Sequence, residues 1–177
     1  MRRHLFLGFA AGIAVAALVA MRPIERLKAG EPPADQCAQR LATFDTLDFN
    51  IFSNQRWDRF SESHAADIIV TWPDGHDTRG LPVHTKDLEA MFVYAPDTKI
   101  TEHPIRVCSG DYTAVMGFMT GTFSRPMPLG GGKTLAPTGK SFRLQMATIG
   151  HWTGNTMDHE WLFWDNQAFM RQIGAGQ

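Results

Sequence analysis

The side chains best suited to chemistry gather near the C-terminus. There Asp165 and His159 share a segment with Trp161 and Phe163, and His151 lies just upstream. An imidazole titrates near pH ~6.5 and exchanges protons around neutrality. A carboxyl group on an apolar, desolvated surface has its pKa raised toward that range. Such a pair among aromatics is equipped to remove and return a proton beside a carbonyl. Asp165 has a second reading: it stands where a final helix begins, and Asp is favoured as a helix N-cap. His159 equally fits a rim histidine bonded to a neighbour, and Trp161 and Phe163 fit core aromatics.

Other chemistries are excluded by spacing. His159-Glu160 begins like a zinc-protease H-E-x-x-H, but Phe163 occupies the second histidine's place. Gly130-Gly131-Gly132-Lys133-Thr134 lacks the first glycine of a phosphate-binding loop, since position 127 is Met127. No Gly-x-Ser-x-Gly elbow is present. His76 with Asp74 and Asp77 resembles a metal loop but lacks further convergent ligands, so it reads as a turn over a pocket mouth. No metal and no cofactor is expected. Cys37 and Cys108 lack metal-ligand spacing and are expected to be separate buried thiols, with one disulfide as the alternative.

The elements that must position these residues follow from periodicity. Leu41, Phe44, Leu47, Asp48, Ile51 and Phe52 recur three and four residues apart, which predicts an amphipathic helix from about Asp35 to Ser53. A short helix begins at Arg56, and a strand at Ile68–Trp72 runs into the Pro73-Asp74-Gly75 turn. A helix over Leu81–Tyr94 should bury Val83, Leu88, Met91 and Phe92. Strands follow at Lys99–Val107, where Pro104 marks an edge or a bulge, and at Tyr112–Phe123. Arg125–Gly139 reads as a loop. Two more strands, Ser141–Trp152 and Met157–Asp165, join through a Gly154-Asn155 hairpin turn, and a helix over Gln167–Ile173 closes the chain. Helices first and a strand meander afterwards is the α+β pattern.

A two-residue turn places Trp152 opposite Met157, Gly150 opposite His159, Thr148 opposite Trp161 and Met146 opposite Phe163. On that register one face carries Met146, Thr148, His159, Trp161, Phe163 and Asp165, and becomes the expected pocket wall. Trp72, His76 and Phe92 complete the expected substrate contacts. His151, Glu160, Leu162 and Trp164 fall on the other face.

Glu160-Trp161-x-Phe163-x-Asp165 with Met170-Arg171-Gln172-Ile173-Gly174 resembles the C-terminal signature of the SnoaL-like polyketide cyclases. These belong to the nuclear transport factor 2-like superfamily. His64-Ala65-Ala66-Asp67-Ile68-Ile69-Val70, Trp72-Pro73-Asp74-Gly75 and Pro137-Thr138-Gly139-Lys140 extend the resemblance over residues 40–174. It implies a cone: a strongly curved antiparallel sheet around a pocket, with about three N-terminal and middle helices packed on it and a short C-terminal helix. It also implies intramolecular aldol closure without a cofactor. By position the acid/base aspartate would be Asp165, and the histidine of the preceding strand His151.

The expectation is therefore a cofactor-independent cyclase or isomerase acting on a small apolar or aromatic carbonyl compound. The alternative is a non-catalytic binding protein of the same fold. The resemblance further implies a homodimer formed through the sheet face. Net charge is −1 with no basic stripe, which argues against nucleic acid. Arg2 and Arg3 precede an apolar run from Leu5 to Ala20. That predicts a signal peptide or an uncleaved membrane anchor over 1–21, a linker over 22–35 and one domain over 36–177, placed in the periplasm, secreted or tethered. No Cys follows the run, so lipoprotein processing is not expected.

Overall fold

The structure, a computed structural model, describes residues 34–176. The expected leader or anchor over 1–21, and the linker up to residue 33, lie outside the described residues.

The first helix, α1 (Ala34–Thr46), does not continue regularly to Ser53. It widens into a π-helical turn at Leu47–Ile51 and tightens into a 3₁₀ turn at Phe52–Asn54. The N–H of Phe52 reaches back to the carbonyl of Leu47. Gln55, in the left-handed region at φ 54°, ends the run. Trp57–Glu62 forms a second 3₁₀ segment.

Helix α2 (Leu81–Tyr94) has the expected limits, with Pro82 in its first turn. Its buried stripe is His84, Leu88 and Phe92, spaced four residues apart. Val83, expected inside, is 45% exposed. A histidine, not a valine, therefore faces the core.

Strand β1 (His64–Thr71) begins earlier than the β-branched run suggested. It is followed by β2 (Asp77–Arg79), β3 (Lys99–Ile100), β4 (Ile105–Ser109) and β5 (Tyr112–Thr122). Pro104 separates β3 from β4, as its missing N–H requires. The Arg125–Gly139 loop contains a small hairpin, β6 (Met127–Gly130) with β7 (Lys133–Leu135). Strands β8 (Ser141–Thr153) and β9 (Thr156–Trp164) form the long hairpin, and α3 (Asn166–Gln172) closes the domain.

The main sheet runs β2-β1-β9-β8-β5-β3, with β4 also on β5. The pairing of β1 with β9 is parallel, so the sheet is mixed, not purely antiparallel. Its inner face meets the N-terminal helical segments and α2 across a core containing Phe44, Ile51, Phe60, Val70, Met119 and Leu162.

Two ties fix α1. Buried Arg40 donates to the carbonyls of Gly110 (3.0 Å) and Gly154 (3.3 Å) and pairs with Asp111. Cys37 and Cys108 form a disulfide to β4, so the expectation of separate thiols is corrected. Helical periodicity and strand ends carry no information about which helix start meets which strand end.

The hairpin register departs from expectation at one residue. Trp152 opposes Met157 as expected, but His151 opposes His159, Gly150 opposes Glu160, Thr148 opposes Leu162 and Met146 opposes Trp164. Asp158 is the extra residue of a β-bulge. It is held there by His151 Nδ1 at 2.5 Å and by the Thr153 hydroxyl at 2.6 Å. One bulged residue exchanges the two faces of everything beyond it.

Candidate active site

The bulge decides which side chains meet in the interior. Glu160, Leu162 and Trp164 turn inward, joining Met146 and Thr148 of β8. Asp48 enters from the π-turn, His64 from the start of β1 and His84 from α2. With Leu47, Phe60, Leu88, Met91, Ile100 and Met119 they surround a cavity of about 40 Å³. That is room for a few waters. Its methionine walls, Met91, Met119 and Met146, are the side chains that most readily repack around a guest.

The π-turn is what aims Asp48. Leu47 and Ile51 are buried on the same turn, and widening it admits a carboxylate beside them. Asp48 Oδ2 lies 2.8 Å from His103 Nε2, and His103 Nδ1 lies 2.8 Å from Asp45 Oδ1. Arg106 pairs with the other oxygen of Asp45 at the surface. The His103 side chain is 2% exposed and rests on Phe49, with ring centroids 4.5 Å apart.

Burial pushes the Asp48 carboxyl above its usual range, against the pull of the His103 hydrogen bond and charge. Burial alone would lower His103, but its bonds to Asp48 and Asp45 raise it. An imidazole clasped by two carboxylates thus links the cavity to the surface.

Glu160, His64 and His84 form the second polar group. Glu160 Oε2 is 3.3 Å from His84 Nε2 and 3.8 Å from His64 Nε2. The latter is an electrostatic approach, too long for a hydrogen bond. Burial lowers His84 to about 4, although the charge of Glu160 opposes this. Burial pushes Glu160 upward, but His64 and His84 outweigh it and hold the carboxyl below its ordinary value.

His64 Nδ1 lies 3.1 Å from the Phe60 carbonyl and 2.9 Å from the Ser63 hydroxyl. A carbonyl only accepts, so in the tautomer that bonds Phe60 the proton sits on Nδ1 and Nε2 carries a bare lone pair.

The residues expected from sequence separate into three places. Met146 and Thr148 line the cavity. Trp72 stands behind it, packed on His84 and edge-on to Trp164, while Phe92 is buried with Phe52 and Trp57. His76 lies exposed against Trp72 and is bonded to Asp74. His159, Trp161, Phe163 and His151 occupy the outer face of the sheet. There His159 stacks on Trp161 at 3.7 Å and meets the Thr71 hydroxyl at 3.0 Å. Tyr112 and His151 continue that face, with centroids 4.8 Å apart.

Asp165 is the N-cap of α3 and accepts from the Ala168 N–H at 2.9 Å. That bond holds its carboxyl below the usual range. It is exposed and does not line the cavity; it borders an open surface depression with Pro73 and Phe163.

Sequence reasoning missed Asp48, His64, His84 and Glu160. Asp48 left one signal, an acidic residue in phase with the apolar stripe of Phe44 and Ile51.

Residues 44–173 match the family model described as SnoaL-like polyketide cyclase. Solved structures agree in fold. A proposed SnoaL-like polyketide cyclase from a Jannaschia species superposes with TM-score 0.71 at 17% identity, covering 84% of this chain and 100% of that one. IdmH from Streptomyces antibioticus, a proposed polyketide cyclase, gives 0.65 at 19% identity over 77% and 99% of the two chains. TsrD from Streptomyces laurentii gives 0.64 at 16% identity over 82% and 99%. A search of curated proteins finds no match.

Proposed function

This chain belongs to the SnoaL-like polyketide cyclase family, and we propose that it catalyses proton transfer on a small, largely apolar carbonyl compound within the cavity, using Asp48 as acid/base. The observation that carries this reading is the position of Asp48. It is a buried carboxyl on an otherwise apolar helical wall, with its pKa raised and His103 bonded behind it. A carboxyl moved toward neutrality accepts a proton from carbon and returns it within one turnover. His103 relays charge to Asp45 while Asp48 changes protonation. Across the cavity, Glu160, His64 and His84 supply polar atoms for the carbonyl end. The apolar lining excludes water and orients the carbon skeleton.

Deuterium exchange at the α-carbon of β-tetralone, followed by NMR, tests this. Asp48→Asn should slow exchange by about 10²–10⁴. Asp165→Asn, which changes only an exposed helix cap, should leave the rate within about twofold of wild type, the noise expected of a residue that does not touch the reacting atoms. Saturable tetralone binding with no exchange above buffer would favour the binding-protein alternative.

The disulfide supports an oxidising, extracytoplasmic location. Exposed Phe163 and Tyr112 on the outer sheet face support dimerisation there, and Phe163→Glu should then yield a monomer in sizing experiments.

A further inference from the structure

Three ligand-type atoms converge on one side of the cavity: His64 Nε2, His84 Nε2 and Glu160 Oε2, all within 4.8 Å of one another. Their side chains are 1%, 3% and 6% exposed. No hydrogen bond from a described residue satisfies His64 Nε2 or Glu160 Oε2. A buried carboxylate oxygen facing two imidazoles without a bonded donor is costly, and a cation held between them would remove that cost.

The His64 ring is also preset for one. Its Nδ1–H is committed to the Phe60 carbonyl, and that arrangement fixes the tautomer and orientation of metal-binding histidines. Three ligands each about 2.0–2.2 Å from one ion stand roughly 3–3.6 Å apart. The observed 3.3 Å from His84 to Glu160 falls inside that range, 3.8 Å from His64 to Glu160 lies just beyond it, and the two imidazole nitrogens, within 4.8 Å of each other, would draw together on an ion. Two imidazoles with one carboxylate form a donor set for a borderline divalent ion, zinc or iron(II) in class. Because all three residues line the cavity, the remaining coordination positions open onto it.

We propose that His64, His84 and Glu160 bind one divalent transition-metal ion on the cavity wall, with open positions directed at a bound substrate. This deepens the role given above to the three residues in the same cavity, but its test separates from that of Asp48: metal binding without exchange chemistry would leave the site intact.

The test uses the full chain, stripped with chelator and titrated with zinc(II) and cobalt(II). One exposed His–Asp pair, His76–Asp74, could bind metal adventitiously. A His76→Gln/Asp74→Asn double variant measures that background. The expected result is one equivalent of metal per chain in wild type and in the double variant. Affinity should fall in Glu160→Gln and His84→Gln by more than the roughly 10–100-fold that loss of an outer hydrogen-bonding partner costs. X-ray absorption of zinc-loaded wild type needs no variant and should show two imidazoles plus oxygen. An all-oxygen or single-imidazole shell overturns the site. So does metal binding that is lost in the double surface variant but kept in folded Glu160→Gln, or no stoichiometric binding to folded wild type.

Discussion

His103 holds Asp48 from behind: its Nε2 is 2.8 Å from the Asp48 carboxylate, while its other nitrogen is bonded to Asp45. Both nitrogens meet acceptors, so the ring is held as an imidazolium and Asp48 cannot rotate without breaking a charge-assisted bond. The cavity acid is therefore positioned by a residue that does not line the cavity itself.

The same clasp predicts a pH dependence of stability. The folded pKa of His103 lies above its unfolded value of 6.5. The folded state then binds the proton more tightly, so this contribution is fully present below pH ~6.5 and is lost as pH rises through the higher folded value. Asp48, also raised, acts in the same sense from its unfolded value of 3.8 upward. Urea midpoints should fall between pH ~6.5 and the alkaline range in wild type, and His103→Gln should flatten that limb. An unchanged alkaline slope in the folded variant would disprove the clasp.

His84 predicts the opposite limb. Its folded pKa of about 4 lies below the unfolded 6.5, so the unfolded state takes up the proton first as pH falls. Stability should decline from pH ~6.5 to ~4, by roughly 3 kcal/mol if this group acted alone. His84→Gln should remove most of the acid-side slope in metal-free protein, measured by urea titration at several pH values.

These two histidines show where reading the sequence stopped. The limits of α2 were legible from its apolar residues, and the last hairpin turn from Gly154-Asn155, which acts locally. Met146 and Thr148 were placed on the correct face because they precede the disturbance in the ladder. Glu160 was not, since an ordinary alternation count does not reveal that Asp158 bulges. The cue, Asp158 satisfied by His151 and Thr153 together, exists only once the strands are paired. Asp48 lay in phase with the apolar stripe, but its partner His103 is 55 residues away in the chain, and no spacing rule joins the two. His64, His84 and Glu160 come from three elements far apart in the chain, and no spacing rule joins them.

The Cys37–Cys108 bond closes a separation of 71 residues between α1 and β4. Such a cross-link restricts the unfolded chain and is worth about 2–4 kcal/mol. Reduction, or Cys108→Ser, should lower the urea midpoint accordingly. Its effect on the cavity should be small, because neither cysteine lines it. Exchange activity of the folded, reduced protein should therefore stay near wild type, measured below the denaturation midpoint.

Gly117 of β5 offers a way to disturb the relay without touching the cavity acid. A Cβ added there would stand 2.9 Å from His103 Cδ2 and 3.1 Å from the Glu102 carbonyl. The second contact is backbone and does not yield, so the His103 ring must shift away from β5. Such overpacking costs about 1–3 kcal/mol. The clasp geometry should loosen as well, because both His103 bonds are held by ring position alone. Gly117→Ala should lower stability, flatten the alkaline stability limb in the same way as His103→Gln, and slow tetralone exchange with little change in KM. A variant that lost stability but kept both the wild-type alkaline slope and the wild-type turnover would show that His103 does not position Asp48.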